Sequence, residues 1–387
     1  MNLSDLKGKT VAGNILAWIS MLVLFGVMDG NGIKKYVVAF GICGVFFLVG
    51  RKKKWAVEEM LCVIIPTIVY ILLGILNNMF HATTQVSAIK TVIYCLTPLF
   101  LAFFLYVYYG KNIEYVVNVQ FWCSLIIYLS SNLEIFIPII KYYQNDISRL
   151  IQEFKWESSY AFAFGVFSLY YAYKKQWWKF GLALILAYIG NKRIVLAAIA
   201  LSLAIMLVVW LFQMNKKLVY IIWGAITAGV YGYLIYIYSG AVNFWSEVFN
   251  LNSNGRLKIY ARVINQYEFS PGYWGKGLGV IENLLECWNI ETFANLHNDL
   301  LKFYIELGFW GLVIYLLSYY LMFILAERNA GKTVLCYLLG IMVYTVVLLA
   351  TDNVSIYLIY LIPFYSTIFA ALSFGKKKES HKEECTC

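Results

Sequence analysis

Five cations and one histidine gather in a single polar stretch, roughly residues 239–306: Arg256, Lys258, Arg262, Lys276, Lys302 and His297. Guanidinium groups stay protonated and grip phosphate oxygens in pairs. A departing diphosphate needs that kind of partner. Residues 256–267, RLKIYARVINQY, fit a helix lying at an interface, with Leu257, Ile259, Tyr260, Val263 and Ile264 apolar. Lys258 and Arg262 stand four apart and so share a face. For Arg256, phosphate binding and simple snorkelling at a membrane surface both remain open.

A second basic point is Asn191-Lys192-Arg193, set between two apolar runs. It reads either as a ligand-binding pair of cations or as a tight polar turn. Gly275-Lys276-Gly277-Leu278-Gly279 lets backbone approach a ligand closely, or simply turns. His297 opens the run Leu296-His297-Asn298-Asp299 through Glu306-Leu307-Gly308. Imidazole titrates near neutrality, so His297 can act as a base or hydrogen-bond a sugar hydroxyl.

The elements that must position these groups follow from composition. Of 387 residues, 61% are hydrophobic and only 13% charged, which excludes an ordinary soluble domain. A spanning helix needs about 20 mostly apolar residues. Windows 194–212, 218–246, 307–326, 333–351 and 353–375 carry no charge that would bar them. They are apolar on every side, unlike the alternating strands of a membrane barrel. The expected fold is therefore all-α and polytopic. About twelve spans are expected, near 11–28, 36–50, 60–77, 91–109, 114–132, 159–173, 178–191, 194–212, 218–238, 307–326, 333–351 and 356–374. One membrane domain then covers 1–375, with 239–306 as its long loop containing short helices, and 376–387 forms a charged tail. The basic N-terminus and the apolar run after it lack a small-residue cleavage site, which predicts an uncleaved first helix.

With the N-terminus placed in the cytoplasm, eighteen of the 31 Lys and Arg residues fall in the cytoplasmic segments, which are short. Positive loops stay in the cytoplasm, so both termini are expected inside and the 239–306 loop outside. Anionic membrane lipids account for the net charge of +10 without a nucleic-acid partner. The eight cysteines sit mostly in spans, and no structural disulfide is expected.

Several chemistries lack their residues. The sequence has no Walker-type phosphate loop and no HExxH. Its five aspartates, Asp5, Asp29, Asp146, Asp299 and Asp352, form no Asp-x-Asp pair. No metal site and no cofactor are expected. Charges absent from the middle of spans argue against an ion-coupled transporter.

At these residues the chain resembles the O-antigen polymerase and O-antigen ligase family of membrane glycosyltransferases. The clearest match is His297-Asn298 through Glu306-Leu307-Gly308, continuing to Gly311-Leu312. Gly255-Arg256 is similar to the family's arginine motif, Gly277-Leu278-Gly279 to its glycine motif, and Lys192-Arg193 to its earlier basic position. Asp352-Asn353 resembles a weaker late motif. Together these cover roughly 190–355.

The resemblance implies a GT-C-like, metal-independent enzyme in the cytoplasmic membrane of a bacterium. The implied donor is an undecaprenyl-diphosphate-linked oligosaccharide and the acceptor a sugar hydroxyl. In that reading Arg193 and Arg256 hold the diphosphate. Lys192 and Arg262 are secondary cations, with Lys258 and Lys276 nearby in substrate binding. His297 serves the acceptor hydroxyl beside Asn298. For Asp299 and Glu306, orienting the acceptor and lying on a helix surface are both open. A flippase and a chain-length regulator of the same pathway are implied partners. Polymerase is the first reading; ligase and polysaccharide flippase are the alternatives.

Overall fold

Apolar runs that cannot be satisfied by water bond their backbone internally, and the chain does so by helices. The structure, a computed structural model, describes residues 3–28, 34–51, 53, 55–81, 86–132, 158–241, 256–288 and 296–384. Fourteen α-helices lie among them: α1 Leu3–Gly26, α2 Lys34–Gly50, α3 Val57–Phe80, α4 Val86–Tyr109, α5 Ile113–Ser131, α6 Tyr160–Tyr173 and α7 Trp177–Ile189. They continue with α8 Arg193–Leu211, α9 Lys216–Tyr238, α10 Arg256–Val263, α11 Val280–Cys287, α12 Asp299–Ala330, α13 Lys332–Leu349 and α14 Leu358–Glu384. The last of these carries on into the charged tail.

Each of the twelve expected spans coincides with a helix. Among the described residues, seven helical stretches are long and apolar enough to cross a membrane. The count is lower for local reasons. Val86–Ser131 counts as one stretch although the 3₁₀ turn Gly110–Asn112 divides α4 from α5. The helices α2, α6 and α7 have 17, 14 and 13 residues and fall short in length, and of α1 only the shorter stretch Val11–Gly26 is apolar.

Two compact units divide the chain. The first takes Met1–Ala56, Thr97–Ile199 and Tyr357–Lys378. Its core is aromatic: Phe121 meets Phe164, Phe167 and Tyr171 edge to face, and Tyr106 stacks on Phe369. The helix α6 is buried from Tyr160 through Tyr171. Its start lies close to the end of α7. Ser158 N–H donates to Gly190 C=O at 3.1 Å, and a Cβ on Gly190 would come within 2.7 Å of the Ala161 Cβ. That approach fixes the Asn191-Lys192-Arg193 turn, where Asn191 takes a left-handed φ of 51° and Arg193 begins α8.

The second unit takes Val57–Leu96, Ala200–Ile356 and Glu379–Cys387. Here α12 packs along α3. Gly308, with φ 78°, breaks α12 into two segments. A break frees carbonyls and amides that must find partners. The segment 273–277 supplies them: Lys276 N–H donates to Ile305 C=O (2.8 Å), Gly277 N–H to Glu306 C=O (3.0 Å), and Phe309 N–H to Tyr273 C=O (3.0 Å). The Asn77 amide on α3 covers Glu306 C=O and Leu307 C=O as well.

Candidate active site

Asn298 explains why a helix begins beside His297. Its backbone is extended (φ −162°), and its side-chain oxygen accepts from Leu301 N–H at 3.0 Å, capping α12. Such a cap is worth about 1 kcal/mol. The Asn298 amide then donates to the Tyr233 hydroxyl at 3.0 Å and lies 3.5 Å from the Tyr260 hydroxyl. The Tyr233 hydroxyl in turn donates a hydrogen bond to Ala350 C=O at the end of α13. The His-Asn pair is thereby tied to α9, α10 and α13.

His297 itself takes a left-handed φ of 53°. The turn after α13 holds it there. His297 N–H donates to Asn353 Oδ1 (2.9 Å), and His297 Nδ1 lies 3.3 Å from Asp352 Oδ1. Asp352 also accepts from Asn353 N–H (2.8 Å), and Asp299 Oδ2 accepts from Ser355 N–H (2.8 Å). The His297 side chain is 30% exposed, whereas that of Asp352 is 5% exposed. A carboxylate on Nδ1 selects the tautomer with its proton there. Nε2 is then a proton acceptor at a partly open surface, as a general base requires.

Asp299 and Glu306 prove to be buried, at 1% and 0% exposure, so the helix-surface alternative falls for both. Helix α12 starts eight residues before the expected span and draws them inward. Glu306 accepts from the Tyr70 hydroxyl and from Gly279 N–H (2.9 Å), and lies 4.0 Å from Lys302 Nζ. Lys302 is paired with Glu282 as well. Glu306 thus latches the glycine segment onto the helix that carries the His-Asn turn. The glycines there have a steric reason. A Cβ on Gly277 would overlap Asn78, one on Gly279 would overlap Ser87, and both residues have positive φ.

The remaining expected residues sit elsewhere. In α10, Ile259 and Val263 are buried while Arg262 is exposed. Lys258 is one turn from Arg262 along that helix. Arg256 opens α10 one turn before Tyr260, the residue that meets Asn298. The side chains of Arg256 and Lys258 lie outside the described residues, as do 242–255, Gly255 among them, and 289–295. Lys276 donates to Gln266 Oε1 at 3.3 Å, away from the His297 turn, and burial lowers the pKa of its ammonium. Lys192 and Arg193 belong to the first unit. Lys192 Nζ lies 4.9 Å from the Phe162 ring centroid, and Arg193 is exposed at the start of α8.

Sequence reasoning noticed Asp352-Asn353 only as a weak motif and gave it no role. It passed over Tyr233, Glu282 and Tyr70, and read Tyr260 only as an apolar position. Asp352 carried one usable signal, being among five aspartates in the whole chain. The tyrosines carried none.

A family model described as O-antigen ligase matches residues 178–316. That stretch begins in α7, includes Lys192, Arg193, α10, the glycine segment and the His-Asn turn, and ends within α12. A search of curated proteins finds no match.

Proposed function

We propose that this chain, which matches a family model described as O-antigen ligase over residues 178–316, is an O-antigen polymerase or ligase family member that joins lipid-linked oligosaccharide repeat units into a surface polysaccharide. The donor is a glycan on undecaprenyl diphosphate, at the outer face of the bacterial cytoplasmic membrane. The chain crosses that membrane about twelve times as one polytopic domain with a GT-C-like fold, both termini inside. The observation that carries this reading is the His297 ring seated on buried Asp352 within the family's His-Asn turn.

The acceptor hydroxyl oxygen attacks the anomeric carbon of the donor sugar and gives its proton to His297 Nε2. The bond from that carbon to the diphosphate oxygen breaks, and the electron pair leaves with the diphosphate. Arg256 holds the charge that builds there, with Arg262 as a further cation. Asn298 seats the turn, and Lys258 and Lys276 add to the basic surface. Direct displacement inverts the anomeric centre. Neither metal nor cofactor enters these steps. Membrane lipids surround the site, and a flippase supplying donor and a chain-length regulator are partners of the same pathway.

One reading stands beside this: a ligase passing finished glycan to another acceptor, favoured by the description of the matching family model. Lipid-linked glycans of a deletion strain, sized by mass spectrometry, separate the two. A polymerase leaves single repeat units; a ligase leaves long chains. In the same strain, Arg256→Ala and His297→Ala express normally and lower elongation roughly 10²–10³-fold. Normal chain length in the Arg256→Ala strain overturns its assignment.

A further inference from the structure

We propose that a small pocket beside the His297 turn receives a hydroxyl of the acceptor sugar, and that Asn353 and Glu282 select it. This rests on the acceptor chemistry given above. The pocket is lined by Glu282, Asp299, Lys302 and Asn353, with Ile281 and Leu296 among its apolar walls. Asn353 is 4% exposed, and its Oδ1 is held by His297 N–H. Its Nδ2 donor is buried with no hydrogen-bond partner among the described residues. Glu282 presents the complement. One of its oxygens pairs with Lys302, and the other, Oε2, is buried with no partner among the described residues.

Buried polar groups are nearly always matched, so an unmatched donor and an unmatched acceptor lining one pocket point to a ligand. Its chemistry is constrained. A phosphate only accepts; it would suit Asn353 but be repelled by Glu282 and Asp299. An ammonium only donates; it would suit Glu282 but face Lys302 and the amide. A hydroxyl donates and accepts at once, as the pair requires. The bond from His297 N–H to Asn353 makes the pocket and the proposed base parts of one rigid turn, so a hydroxyl seated here sets where the neighbouring hydroxyl lies relative to Nε2.

The test is Asn353→Asp. It keeps the oxygen that holds His297 N–H and replaces the unmatched donor by an acceptor. Purified protein in detergent elongates the lipid-linked repeat unit extracted from a deletion strain, with the methyl glycoside of the same repeat as the varied acceptor. The acceptor KM rises about ten- to hundredfold. The donor KM stays near wild type and kcat changes less than about threefold, while the unliganded melting temperature falls because the new carboxyl is buried beside Glu282 and Asp299. Among singly deoxygenated acceptors, one binds poorly to wild type and loses nothing further in the variant. An unchanged acceptor KM, with or without a shifted melting temperature, means the pocket holds water or serves packing, and overturns the proposal. If wild type elongates, His297→Ala does not, and Asn353→Asp is kinetically normal, only this pocket is refuted. If wild type fails to elongate under any donor concentration, the functional reading falls and the pocket with it.

Discussion

Replacing Asp352 by Asn leaves the shape of the His297 turn intact and removes only the charge behind the imidazole. The oxygen that accepts from Asn353 N–H is retained, so the turn loses little stability, about 0.5–1.5 kcal/mol for one altered hydrogen bond. What changes is the charge facing the ring. The same Oδ1 faces His297 Nδ1, so the amide oxygen keeps the tautomer but no longer offers the negative charge that stabilises the imidazolium formed when Nε2 takes the acceptor's proton. General-base catalysis contributes about 10²–10⁴ in rate. The Nδ1 to Oδ1 separation of 3.3 Å is longer than a strong charge-assisted bond of about 2.7–2.9 Å. The lower end of that range therefore applies, a loss of about 100-fold or ~2.7 kcal/mol in the barrier.

The assay is elongation of lipid-linked repeat units by purified protein, with donor and acceptor varied separately. The loss falls on kcat, with both KM values near wild type, because Asp352 acts through the ring and touches neither substrate. Asp352→Glu restores part of the rate. His297→Ala and the double variant are equally slow, since residues acting as one unit do not add. A full-rate Asp352→Asn protein refutes the argument. So does a loss that appears in KM alone, or single-variant losses that multiply in the double variant.

Two further outcomes concern the scaffold. Gly308→Ala combines a left-handed φ of 78° with a Cβ that would overlap the backbone of Gly275 and Tyr273, so it destabilises the protein by at least about 1–3 kcal/mol, read as a lower melting temperature in detergent. Burial lowers the pKa of Lys276, so the unfolded chain binds that proton more tightly than the folded one and stability rises with pH on the alkaline side of neutrality; Lys276→Met flattens this part of a melting-temperature against pH curve.

How far the fold can be read from the sequence depends on how local each determinant is. A spanning helix is specified by its own apolar residues, so all twelve expected segments coincide with helices. The loop helix over 256–267 was legible for the same reason: apolar residues at helical spacing predict it, and α10 with the 3₁₀ turn Ile264–Gln266 occupies that stretch. The inward turn of Asp299, Lys302 and Glu306 was not legible. Hydropathy scores each charge as a cost, yet these charges are neutralised in place by Glu282 and by one another, with Tyr70 and Gly279 N–H completing Glu306.

The candidate site divides along the same line. Asn298 as a cap is a local signal, read from Asn immediately before a helix. Asp352 lies 55 residues from His297 along the chain, and only tertiary structure brings them together. Tyr233 and Tyr260 are two of 32 tyrosines, and nothing in their neighbours marks them. The spaced pattern from His297 to Gly308 therefore combines two kinds of requirement. Its far end, Glu306 and Gly308, is fixed by backbone geometry: the helix must break where the segment 273–277 can satisfy it, and Glu306 must hold Gly279. Its near end, His297 and Asn298, is fixed by side-chain chemistry. The seven residues between them, 299–305, lie in the first segment of α12, which transmits the position of the break to the position of the imidazole. On that account a change at Gly308 displaces His297 without touching any substrate, whereas a change at Asp352 leaves the position and removes the charge behind the imidazole.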